Sequence, residues 1–159
     1  MSRRLAAAVI AALVGAACGA GSDAGGRLVV DRVTKGSGRL LDEPARAVYC
    51  AGESLLTVIA VGRVWSGGLA LHVVLPVRAA VTLPVRRPPT GFGTATAAFR
   101  PASGVARLGV GGTVSLAPSS AVDGVFSITV TDSTLPDAAF RGRFSHIPYS
   151  TPSGPACPQ

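Results

Sequence analysis

Carboxylates, histidines and aromatic rings are all scarce in this chain of 159 residues, which has eight Asp and Glu, two His, five Phe, two Tyr and one Trp. The adjacent carboxylates Asp42-Glu43 precede Pro44 in what reads as a solvated loop. Neighbours on an extended segment point to opposite sides, so this pair cannot give the facing carboxylates of a glycosidase. His72 and His146 have no cysteine near them in sequence, which removes the usual zinc spacings, and neither a metal nor a cofactor is expected. Either histidine could join a serine and Asp123, Asp132 or Asp137, but no Gly-x-Ser-x-Gly elbow orients a nucleophile. No catalytic residue is assigned and the protein is not expected to be an enzyme. Gly91-x-Gly93 and Gly109-x-Gly111-Gly112 open no helix that carries a lysine, so they read as turns, not phosphate cradles. The lone tryptophan, Trp65, is poor provision for a sugar-stacking platform and reads as core. The net charge of +7 is carried by scattered arginines with Arg86-Arg87 and Arg141-x-Arg143 as close pairs, a pattern without the basic runs of a nucleic-acid binder. After residue 17 no apolar run approaches the roughly 20 residues of a spanning helix; Leu69 to Val77, the best of them, contains His72.

What is present starts at the N-terminus. Arg3-Arg4, an apolar stretch from Leu5 to Val14 and small residues before Cys18 have the layout of a secretory signal. The layout resembles the processing site of exported bacterial lipoproteins, with Cys18 as the residue to be acylated. That family's motif places an aliphatic side chain three positions before the cysteine; here the position is Gly15 and Leu13-Val14 is displaced by one. Ordinary signal-peptidase cleavage is the alternative, because Ala17-Cys18-Gly19 supplies small residues at the required spacing and would leave a secreted protein. The organisation expected is therefore residues 1–17 as signal peptide, 18–26 as acylated cysteine and flexible tether, and 27–159 as one domain. Gly19 after the cysteine is compatible, by family analogy, with the outer membrane where the organism has one.

Cysteine parity fits acylation. With Cys18 modified, Cys50 and Cys157 are left to pair in an oxidising compartment, the alternative being two separately buried thiols. A bridge closing a loop of roughly 100 residues contributes about 4.7 kcal/mol in the chain-entropy argument, less whatever strain it introduces.

In the folded part apolar residues recur at period two between clusters of Gly, Pro, Asp and Ser, which predicts short antiparallel strands and no helical stripe. The clearest is Val125 to Thr131, with Phe126, Ile128 and Val130 on one face and Ser127, Thr129 and Thr131 on the other. Phe140-Gly142-Phe144 alternates against Arg141-Arg143-Ser145, so Gly112 to His146 reads as a three-strand meander. Further strands are expected at Leu28 to Val33, Ala45 to Cys50, Leu55 to Trp65, Leu69 to Val77, Val81 to Val85, Thr94 to Arg100 and Val105 to Val110. Pro76 and Pro84 suit edge strands, since proline donates no ladder hydrogen bond. The fold class expected is an all-β, antiparallel β-sandwich, with a small β-barrel as the alternative.

Tyr49-Cys50, Trp65-Ser66-Gly67-Gly68-Leu69, Gly124-x-Phe126, Arg141-Gly142-Arg143-Phe144 and the late Cys157 together resemble uncharacterised small β-rich lipoproteins exported by bacteria. That resemblance implies the fold and the envelope location, and no activity. The expected function is a non-enzymatic, membrane-anchored binding or scaffolding module with an envelope protein as a possible partner. Two alternatives stand beside it: a barrel carrying an apolar ligand, on the argument that few bulky aromatics are available to fill an interior, and an envelope hydrolase using His72 or His146.

Overall fold

The period-two segments form ten strands among the described residues, which in this computed structural model are 26–33, 38–89, 91–131 and 138–152. In chain order they are β1 Arg27–Arg32, β2 Gly38–Cys50, β3 Leu55–Val61, β4 Trp65–His72, β5 Val81–Pro84, β6 Ala95–Pro101, β7 Arg107–Leu116, β8 Val122–Val130, β9 Ala138–Ile147 and β10 Tyr149–Ser150. The expected meander is β7–β8–β9, with Phe126, Ile128, Val130, Phe140 and Phe144 buried and Ser127, Arg141 and Arg143 exposed. Three expectations are corrected. The chain from Asp42 to Pro44 is part of a long strand, not a loop, because β1 pairs with it from Arg27↔Pro44 to Arg32↔Gly38. Leu55 to Trp65 is broken by a turn at Gly62, whose N–H donates to the Trp65 carbonyl, so Trp65 starts β4 instead of ending β3. Gly109 to Gly112 lies within β7 rather than in a turn.

The sandwich gives way to the barrel. β1 has both edges occupied, antiparallel to β2 on one side and to β9 on the other. The eight strands β1, β2, β3, β4, β6, β7, β8 and β9 thus close on themselves, each antiparallel to its neighbours. A closed wall has no free edges to protect, and sequential neighbours supply nearly all of its pairings. β5 is an edge strand on the outer half of β7, which places Pro84 where proline is tolerated. β7 exchanges β6 for β5 as its partner near Gly109 to Gly112, where its register against β8 also shifts. Gly112 has φ +108 and lies so close to the Ser127 carbonyl that no side chain fits, so the glycines make a strand bend.

Inside, a column of rings fills the barrel. Trp65 meets Phe140 edge-on at 6.0 Å, Phe140 meets Phe99 at 5.4 Å, Phe99 stacks on Phe126 at 6.0 Å, and Phe126 stacks on Phe144 at 6.4 Å. Glycines in the adjacent strands make room for three of these rings. Phe126 lies over Gly142 and Phe144 over Gly124, each pair directly opposed in the β8–β9 ladder, and Phe99 lies over Gly67 in the β4–β6 ladder. A Cβ at any of these glycines would run into the ring it faces. An eight-stranded wall is just wide enough for side chains to fill, and these five rings with Leu28, Leu56, Leu69, Leu71 and Ile128 fill it.

Along β9, β1 and β2 the outer face is charged. Asp42 accepts from Arg27 Nε at 2.9 Å and Nη2 at 2.7 Å and from Arg39 Nη1 at 2.6 Å, while Arg39 Nε reaches Asp31 at 2.6 Å. Arg27 and Arg39 hold the Asp42 carboxyl below its ordinary value. On these three strands apolar inside and charged outside is the reverse of the alternation of a membrane-spanning barrel.

Candidate functional site

The wall is discontinuous at one end. β2 pairs with β3 from Cys50↔Leu55 to Ala45↔Ala60 and then runs on to Gly38 with β1 alone beside it. β3 meanwhile ends at Val61 and turns through Gly62 into β4. The two segments splay apart, leaving a cleft of about 410 Å³ between Leu40–Glu43 and Val61–Trp65 at the barrel mouth.

Trp65 forms part of the cleft wall and is also the top ring of the interior column. Its face is covered by Arg107, whose guanidinium carbon lies 5.2 Å from the ring centroid, a cation–π contact. The expectation of Trp65 as core is met in part: it packs against the core while half-buried at the mouth. Glu43 shares a face with its cross-strand partner Leu28 and enters the cleft, where its carboxylate lies against Gly62. Asp42 takes the outer face, so the adjacent carboxylates do point to opposite sides. Arg63 is the cation of the lining.

Two further arginines point inward at this end. Arg107 is opposite Phe99 in the ladder and Arg32 is opposite Phe140, on the face of Leu28 and Val30. The Nε of Arg32 is buried without a hydrogen-bond partner among the described residues. An unsatisfied buried donor costs about 1–3 kcal/mol. Sequence reasoning passed over Arg32 and Glu43, although alternation from Leu28 and Leu41 places both on the inner face.

The remaining sequence candidates are scattered. Cys50 ends β2 and is 2% exposed, while Cys18, Cys157, Asp132 and Asp137 lie outside the described residues. His72 ends β4, on the face opposite Leu71, far along the barrel from the cleft. His146 has φ 51 and a side chain 86% exposed; its backbone N–H donates to Asp123 Oδ1 at 2.9 Å and its Nδ1 lies 3.3 Å from the same oxygen. Asp123 thus restrains an unusual backbone conformation, and the contacts of this pair include no serine. Among the described residues no group of His, Cys, Asp and Glu is placed to hold a metal ion, and no helix is long and apolar enough to cross a membrane. Comparison of the chain with protein-family models, with curated proteins and with solved structures finds no match.

Proposed function

We propose that this protein is a non-enzymatic binding module of the bacterial cell envelope, anchored to a membrane through acylated Cys18, with the barrel mouth as its ligand site. The observation that carries the reading is the cleft beside Trp65: a barrel filled along its axis still has an opening of about 410 Å³, within the size range of small-molecule sites. A ligand that suits it has a flat apolar body for the Trp65 wall and an anionic group for Arg63, the cation of the lining. An envelope protein that inserts such a group is the larger version of the same ligand. Carriage of an apolar molecule inside the barrel is the second reading, and its cargo would have to displace the ring column around Phe99 and Phe140.

A Cys50–Cys157 bridge belongs to the proposal. β10 runs parallel to β2 with Ser150 level with Val48, so at Ser150 the chain runs in the direction of Cys50. Intact mass without reductant, on protein extracted from membranes, tests both modifications: the expected species begins at acylated Cys18 and lacks two further hydrogens. A soluble chain beginning near Ala20 would replace the anchor with secretion.

The cleft is tested with 1-anilinonaphthalene-8-sulfonate, which joins a flat apolar body to an anion, using the single tryptophan as reporter. Saturable one-site binding with energy transfer from Trp65 is expected, about tenfold weaker in Arg63→Met. The uncharged parent 1-anilinonaphthalene should bind as weakly to the unaltered protein as the sulfonate does to that variant. Multisite, unsaturable uptake, or affinity indifferent to Arg63, would remove the cleft as a ligand site.

A further inference from the structure

The barrel end opposite the cleft carries an unexplained combination of exposed apolar and basic groups. Between β4 and β6 the chain turns at Gly91–Gly93 and displays Phe92, which is 72% exposed. The turn is fastened: Gly93 N–H donates to the His72 carbonyl at 3.0 Å, His72 N–H to the Thr94 carbonyl at 3.0 Å, and Thr94 Oγ1 to the Gly91 carbonyl at 2.6 Å. Gly93 sits at φ +79, a conformation that costs glycine little. Val74, two residues past His72, is 57% exposed. Arg86 is tied to the same place, its N–H donating to the Ala95 carbonyl at 2.8 Å, and Arg87 follows. Arg78 comes from the same connection, and none of these three arginines has an ion-pair partner among the described residues. Of the acids at this end, Asp123 is engaged by His146, leaving Glu53.

We infer that this end rests on an anionic phospholipid surface, Phe92 and Val74 entering the headgroup region and Arg78, Arg86 and Arg87 meeting lipid phosphates. Three features favour a bilayer over a protein partner. Phe92 stands at a loop tip instead of in a flat patch, three arginines stand against the single unengaged acid Glu53, and β1 begins at this end. The residues between Cys18 and Arg27 therefore attach on the side that faces the lipid. Docked in this way, the barrel points the Trp65 cleft away from the membrane. The inference stands on Phe92 and the arginines, independently of acylation and of any ligand in the cleft.

Flotation with phosphatidylcholine vesicles, with and without phosphatidylglycerol, tests it on residues 18–159 with Cys18→Ser, a chain that keeps every described residue and cannot be acylated. Binding that requires phosphatidylglycerol and weakens with added salt is expected. Phe92→Ser should reduce it roughly tenfold, and the pair Arg86→Gln and Arg87→Gln by about fivefold for each charge removed. Both variants alter exposed side chains and should retain the Trp65 emission and sulfonate binding of the parent. With brominated phospholipid, Trp65 emission should be unaffected while a Phe92→Trp variant gains a quenched component. Binding without regard to lipid charge, variants that bind like the parent, or quenching of Trp65 would each overturn the inference. So would sedimentation showing a dimer that Phe92→Ser abolishes, which would give the surface to a second copy of the chain.

Discussion

The walls on the two sides of the barrel are built differently. From β8 through β9 to β1 the ladders are nearly continuous, Val122↔Ile147 to Val130↔Ala138 and then Arg27↔Ser145 to Arg32↔Phe140. Rings and glycines interlock across that seam, Phe126 over Gly142 and Phe144 over Gly124. Across the barrel, β6 and β7 share two opposed pairs, Ala98↔Leu108 and Phe99↔Arg107, and the β2–β3 ladder stops at Ala45↔Ala60. The cleft, Trp65 and Arg107 lie where pairing runs out, while Arg32 ends β1 on the continuous side. Closure and access are thus divided between two sides: one holds the cylinder shut, and the other leaves backbone and side chains free to meet something else.

The largest effect that would test this contrast comes from the continuous side. Phe126→Ala removes a buried ring that touches two others, and a loss of about 3–5 kcal/mol in denaturant unfolding is expected. A loss below 1 kcal/mol would show that the ring column does not hold the barrel together. Gly142→Ala asks whether the glycine is needed as much as the ring, since the added methyl meets Phe126 and the Val29 carbonyl. About 1–3 kcal/mol should be lost, and Gly142→Ala combined with Phe126→Leu should recover part of it. Native-state hydrogen exchange compares the sides directly. Amides of Ile128 and Phe140 should exchange only with global unfolding, and that of Leu108 at least roughly tenfold faster; equal protection would erase the distinction.

The smallest effect belongs to the outer charge network. Because Arg27 and Arg39 lower the Asp42 pKa from its ordinary 3.8, the network contributes stability at pH above that value and loses it as pH falls through the lower folded-state value. Asp42→Asn should therefore cost about 1 kcal/mol or less at neutral pH, with the difference from the parent vanishing in acid. A difference that grows on acidification would contradict the assignment.

Much of the wall was legible in the chain. Phe126, Ile128 and Val130 against Ser127 and Thr129 announce a half-buried strand, because period two is fixed by the backbone alone. Pro84 announces an edge for the same local reason. Asp42 and Glu43 read as loop because their polarity outweighed alternation, yet each has a distinct use, one in an outer ion network and the other in a cleft. The Gly-x-Phe strings were visible as strings. Their meaning was not, since each glycine accommodates a ring contributed by a neighbouring strand.

Alternation and composition alone specify an all-β chain of short strands, the inward and outward sense of their residues, and the scarcity of catalytic and metal-binding groups. Those properties follow from backbone geometry and composition, which act within a few residues. Tertiary structure decided that the strands close, with β1 joining β9 to β2, that Trp65 stands at an opening, and that Phe92 gathers with three arginines at the other end. Closure depends on long-range register, which local pattern does not encode: the same alternation serves two facing sheets or one cylinder, and only the pairing of β1 with both β9 and β2 distinguishes them.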